Sequence, residues 1–184
     1  MSNVKILGID YSVTCPALCL TDGSSHRWFV NYRQHGKPYQ PLPSVEWVPS
    51  TTEGDLPRFL ELADWVSRVV RETNPDGIVL EDYAFSRAGR LTQLGENGGI
   101  LKAELFRRHS TIPLHIVAPT AMKKFATGKG IATKDIVWEA FIKREPHAAA
   151  WAKICHPKSD KITSPVADIA DAYFLAQYGH AQRR

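Results

Sequence analysis

The amino-acid sequence predicts an α/β domain: a mixed five-stranded sheet with helices on both of its faces. Three observations lead there. The first third of the chain holds apolar runs of strand length separated by turn residues. The remainder alternates helical periodicity with short apolar runs. The resulting order is a three-strand meander, then helix, strand, helix, strand and further helices, which buries its apolar faces only when helices cover a sheet.

Taken in order, Val4-Lys5-Ile6-Leu7-Gly8-Ile9-Asp10 reads as a buried strand ending in an acid. Residues 15–21 and 26–32 continue as strands, with Asp22-Gly23 as the hairpin turn between them. Residues 33–54 are rich in Pro, Tyr and Trp and read as a long excursion, within which Val45 to Val48 has strand character. Residues 56–73 form a helix, because Leu56, Phe59, Leu60, Ala63, Val66, Val69 and Val70 recur at helical spacing. Asn74-Pro75-Asp76-Gly77 stops it and leads into the strand Ile78 to Glu81.

A second helix spans 91–108, with Leu94, Leu101 and Leu105 on one face. Gly95, Gly98 and Gly99 lie inside it, and each costs about 1 kcal/mol relative to Ala, so close packing is expected there. Leu114 to Ala118 is the fifth strand, followed by short helices at 120–126 and 133–144 around a Gly-rich turn. The last helix runs from Pro165 to Tyr178, with Ser164 as its expected cap. The chain is read as a single domain over 1–184, with insertions at 33–54 and 145–163.

Length and composition narrow the function. The chain has 184 residues, 43% hydrophobic and 23% charged, as expected for one globular domain with a proper core. No apolar run approaches the roughly 18–20 residues that span a bilayer, and residues 1–5 carry no secretion signal, so a cytoplasmic protein without a membrane partner is expected. Cys15, Cys19 and Cys155 are too scattered for a disulfide framework or a zinc site and read as free thiols. His109, His147 and His156 are read as solvated or structural. The net charge is +4. Its distribution says more than its size: Lys123, Lys124, Lys129 and Lys134 fall in one stretch, and Arg87 and Arg90 follow an acidic pair. Basic groups close to carboxylates suggest a polyanionic substrate held over a metal site.

The acids supply the chemistry. Hard divalent cations prefer carboxylate oxygens, and two of them about 4 Å apart can activate water and stabilise the leaving oxygen of a phosphodiester. Such a site needs acids converging from distant segments. Asp10 and Glu81 each end an apolar strand. Asp82 follows Glu81, but successive strand side chains point to opposite faces, so only one of the two can face Asp10, and Glu81 is chosen. Asp168 and Asp171 are three apart on one helix face, shared with Ala172 and Leu175, so they point toward the sheet. An acid near a helix N-terminus gains about 0.3–1 kcal/mol from the helix dipole. That accounts for Asp168 better than for Asp171. Two buried acids without counter-charge are costly, and a metal removes that cost.

These segments together resemble the RuvC-type Holliday junction resolvases. Leu7-Gly8-Ile9-Asp10 resembles that family's first acidic motif, and Asn74-Pro75-Asp76 through Leu80-Glu81 its second. Leu94-Gly95-Glu96-Asn97-Gly98-Gly99 resembles the helix that follows, Pro119 to Val137 the basic segment, and Ala167-Asp168-Ile169-Ala170-Asp171-Ala172 the closing signature. The resemblance implies a ribonuclease H-like fold and a homodimer placing paired nicks on a four-way DNA junction. It implies Asp10, Glu81, Asp168 and Asp171 as ligands of two Mg²⁺ ions, with Mn²⁺ as a substitute. Lys123 and Lys134 would bind phosphate near the scissile bond, and Tyr83 or Phe85, preferably Phe85, would stack at the opened junction centre. Lys124, Lys129, Arg87 and Arg90 complete the expected DNA contacts. The chain departs from the family at the first acid, where Asp10-Tyr11-Ser12 replaces the usual Asp-Pro-Gly.

The expected function is therefore a metal-dependent endonuclease of DNA recombination and repair. The main alternative is a related nuclease acting on flaps, forks or RNA–DNA hybrids. A non-catalytic binding module does not explain the full acid set. An actin-like ATPase normally needs two such domains and a longer chain.

Overall fold

The computed structural model describes residues 4–33, 41–82 and 91–183. Its centre is a sheet of six strands: β1 (Ile6–Asp10), β2 (Ala17–Thr21), β3 (His26–Arg33), β4 (Val45–Ser50), β5 (Gly77–Glu81) and β6 (Leu114–Val117). Their spatial order is β4-β3-β2-β1-β5-β6. The meander β1-β2-β3 is antiparallel, while β4 runs parallel to β3, and β5 and β6 run parallel to β1. The helices are α1 (Asp55–Thr73), α2 (Leu91–His109), α3 (Pro119–Thr127), α4 (Lys134–Arg144), α5 (Trp151–Cys155) and α6 (Val166–Ala181).

The mixed α/β class is as expected, but the described residues form a sheet of six strands rather than five. The extra strand is β4, which contains the Val45 to Val48 run whose strand character was read inside the excursion but not counted in the sheet. Joining β3 to a parallel neighbour takes a crossover rather than a hairpin, so no tight-turn signal precedes it. It also carries Pro49, which cannot donate to a ladder and is tolerated because β4 is an edge strand. The turn after β2 is the expected one: Gly23 has φ 92°, and Asp22 Oδ1 accepts the Ser24 and Ser25 amides at 2.9 and 2.8 Å.

Alternation along the strands divides the core. Leu7, Ile9, Leu18, Phe29, Ile78 and Leu80 face α1 and α2, meeting Leu62, Val66, Val70, Leu101 and Leu105. Ile6, Ala17, Cys19, Trp28, Val30 and Val79 face the other way, against α6 and the α3–α5 segment. Trp151, from the 145–163 stretch, is fully buried edge-on to Trp28, with ring centroids 5.4 Å apart. Cys15, Cys19 and Cys155 are free thiols.

Two local expectations are corrected. Gly98 of α2 is buried, but Gly95 and Gly99 face open space, with no described atom within 4 Å of a Cβ built there. Close packing therefore does not explain those two glycines. The final helix begins at Val166, one residue later than read, with Pro165 at the cap position and no side-chain cap bond from Ser164.

Candidate active site

The acids reach one place through strand register and one close helix approach. β1 and β5 run parallel with Ile9 opposite Leu80, so Asp10 and Glu81 terminate neighbouring strands at the same end. Ile6 and Val79 pack on the α6 side, so Asp10 and Glu81, each an even number of residues further on, face that side too. Opposite them α6 lies almost on the backbone of β1. A Cβ at Gly8 would overlap Ala172 O and Ala176 N, so only glycine lets the helix settle there. Asp168, in the first turn of α6, is buried, and Asp171 one turn on is half-buried.

The result is a cleft of about 260 Å³ whose lining includes Asp10, Glu81, Asp168, Asp171, Lys123 and Lys134. Lys134 Nζ stands 3.9 Å from Asp168 Oδ1. Burial pushes the Asp10 carboxyl well above the usual carboxylate range, and Glu81, Asp168 and Asp171 push it further against Lys134. Glu81 is pushed up to about 8, by burial first and then by Asp171 and Asp168, against Lys123 and Lys134. Asp171 is pushed up to about 7 by burial and then by Asp168. This is a pocket of crowded negative charge, only partly offset by two lysines.

Not every expected residue is in the cleft. Lys124 and Lys129 are exposed and outside its lining. Tyr83, Phe85, Arg87 and Arg90 lie outside the described residues. Asp82 lines the cleft as well as Glu81: beyond the end of β5 the strand alternation no longer governs direction, and the Asp82 amide is held by Val117 O at 2.8 Å. The sequence reading gave Ser12, Thr14, Leu94, Pro119 and Ser164 no place in the site, yet they also line it. The three histidines have structural contacts: His109 with Ser67 Oγ at 2.8 Å, His147 with the Trp28 and Trp151 rings, and His156 with Ser164 O at 2.8 Å.

Comparison with solved structures identifies the fold. Thermus thermophilus RuvC matches at TM-score 0.58 and 19% identity, over 98% of this chain and 96% of that one. The same Thermus protein in complex with a Holliday junction substrate matches at 0.59 and 19%, over 97% and 96%. Fowlpox virus resolvase in complex with substrate Holliday junction DNA matches at 0.52 and 15%, over 98% and 99%. This is the ribonuclease H-like fold of the RuvC-type resolvases. No protein-family profile and no curated protein sequence matches the chain, so the likeness lies in the architecture.

The donor set suits a hard cation. It is all carboxylate oxygen, and Asp10, Glu81 and Asp171 are raised by burial first and then by mutual repulsion, both of which a bound cation would offset. As the side chains stand, no three acid, imidazole or thiol groups among the described residues are close enough to enclose an ion. Ligation would therefore draw the carboxylates inward. Among the described residues no helix is long and apolar enough to cross a membrane.

Proposed function

We propose that this protein is a divalent-metal-dependent endonuclease that cuts branched DNA, with the four-way junction as its substrate and a homodimer as its working form. The observation that carries this reading is the convergence of Asp10, Glu81, Asp168 and Asp171 with Lys123 and Lys134 in one cleft of a RuvC-type fold. The similar structures in complex with Holliday junction DNA support the choice of substrate.

Asp10, Glu81, Asp168 and Asp171 would hold the metal, Mg²⁺ or Mn²⁺ in a paired site. Bound there, it supplies the Lewis acidity that phosphodiester hydrolysis requires. The remaining work falls to side chains. Lys123 and Lys134 attract the phosphate and offset charge that grows on its oxygens as the bond breaks. Asp168 holds Lys134 at the cleft through their 3.9 Å pair. Tyr11, Ser12 and Thr14 also line the cleft and would limit how the backbone of the substrate can lie. Two copies would be needed to place paired nicks symmetrically.

The deciding experiment is cleavage of synthetic four-way junctions, flaps, forks and RNA–DNA hybrids, with and without Mg²⁺ or Mn²⁺, alongside the solution mass. Metal-dependent cutting that favours the junction, by a dimer, is the expected result. Equal cutting of flaps and junctions by a monomer would replace the junction with a broader substrate class. No cutting of any substrate with either metal would overturn the nuclease reading.

A further inference from the structure

Arg58 is among the largest fully buried side chains of the molecule, and the chemistry of the acids leaves it without a role. Burying a guanidinium is costly unless its donors are satisfied; Nη2 has no partner among the described residues, so the bonds of Nε and Nη1 show what it is kept for. Its Nε donates to the backbone carbonyl of Val13 at 3.1 Å. Its Nη1 donates to Asn31 Oδ1 at 2.7 Å and to Glu61 Oε2 at 3.3 Å. Glu61 is steadied in turn by the Ser50 hydroxyl at 2.6 Å. The guanidinium therefore joins α1, β3 and β4 to a single carbonyl in the connection between β1 and β2.

That connection is the wall of the acid cleft. It starts immediately after Asp10, and Tyr11, Ser12 and Thr14 from it line the cleft. The β3 backbone holds its far half, with the Arg33 amide donating to Thr14 O at 2.8 Å and the Asn31 amide to Pro16 O at 3.2 Å. Ser12 Oγ accepts the Cys15 amide at 3.0 Å within the turn. Val13 O, at the middle of the segment, is held by Arg58 from beneath. Asn31 serves both halves: its amide holds Pro16 and its side chain holds the guanidinium.

We propose that Arg58 is a positioning residue for this site: its buried guanidinium sets the 11–14 wall beside Asp10 in the conformation that accepts the scissile phosphate. The proposal rests on the nuclease reading for what the wall acts upon, but not for the tie itself. A residue that merely fastened α1 to the sheet would have no need to reach the carbonyl of Val13.

The test compares Arg58→Gln, Arg58→Lys and Glu61→Gln with the wild-type chain, by amide hydrogen exchange and by steady-state cleavage of a four-way junction with Mg²⁺. Arg58→Gln should speed exchange within 11–16 while leaving α6 and β5 protected. Per folded molecule it should lower kcat about tenfold or more with KM within about twofold. Arg58→Lys, which keeps one charged donor, should recover part of both effects. Glu61→Gln, which loosens one anchor of the guanidinium, should move both in the same direction by less. If Arg58→Gln does not fold, the other two variants carry the same comparison. Unchanged exchange within 11–16, or loosening spread evenly through α1 and β3 with kcat within twofold of wild type, would overturn the proposal. Should the wild-type chain cut no branched DNA, the nuclease reading fails by itself, and exchange within 11–16 still decides whether Arg58 sets the wall.

Discussion

Gly8 of β1 and Ala172 of α6 meet backbone to backbone, so that a Cβ on Gly8 would overlap the Ala172 carbonyl oxygen. Asp10 lies two residues beyond Gly8 on the same strand face, and Asp171 immediately precedes Ala172. One close approach therefore sets the separation between the strand acid and the helix acids. Gly8→Ala should push α6 outward, destabilise the fold by about 1–3 kcal/mol as overpacking does, and abolish most cleavage. Thermal unfolding and junction cleavage together check this. A variant with wild-type stability and activity would show that the approach is not critical.

The crowded acids should make the metal-free protein less stable at higher pH. Burial and the neighbouring acids push Glu81 up to about 8 and Asp171 up to about 7 in the folded chain, from ordinary values of 4.5 and 3.8. A carboxyl whose pKa is raised on folding binds its proton more tightly in the folded state, so its contribution is lost as pH rises from its unfolded value through its folded one. In EDTA the melting temperature should fall between about pH 5 and pH 8. Mg²⁺ should stabilise most at the upper end. A metal-free melting temperature that is flat or rising over that window would contradict the arrangement.

Neutralising one acid should separate stability from activity. Asp171→Asn removes a carboxylate that burial and Asp168 both disfavour, so the metal-free protein should gain about 1–3 kcal/mol at pH 8. The same change should remove metal-dependent cleavage, and the stabilisation by Mg²⁺ should shrink. Calorimetry with and without the metal measures both. Loss of stability at pH 8 would mean that Asp171 is held by partners rather than strained by neighbours.

The basic segment should divide by position. Lys134 stands 3.9 Å from Asp168 in the cleft, whereas Lys124 is exposed outside it. Lys134→Ala should lower kcat roughly 10²-fold, as loss of a group stabilising developing charge does. Lys124→Ala should leave kcat unchanged. If Lys124 binds a phosphate at all, its loss should reduce the salt dependence of DNA affinity by about one unit of slope. Equal losses of kcat from both variants would show that charge density, not placement, is what the segment supplies.

Much of this protein is visible in local pattern. The apolar runs ending at Asp10 and Glu81, the helical period through 56–73 and the shared face of Asp168 and Asp171 are all short-range features, because alternation and the 3.6-residue turn fix side-chain direction within a few residues. Those features were enough for the α/β class and to point to four acids that line one cleft. β4 was legible as strand character at Val45 to Val48 but not as a member of the sheet, since its parallel pairing with β3 links segments with no turn signal between them. Gly95 and Gly99 misled for a related reason: a glycine's cost is local, but what faces it is not.

The sequence by itself therefore determined which groups could do chemistry: hard oxygen donors at strand ends and on a helix face, with lysines nearby. Only the tertiary structure decided which of them meet. Lys123 and Lys134 reach the acids while Lys124 and Lys129 do not, because α3 and α4 are oriented by what they pack against and not by their own composition. Asp82 joins the cleft because its chain has left the strand. Arg58, one charged residue in an ordinary amphipathic helix, reaches the wall of the site through contacts 45 and 27 positions away in the chain. Long-range packing alone sets such contacts, and no local period records them.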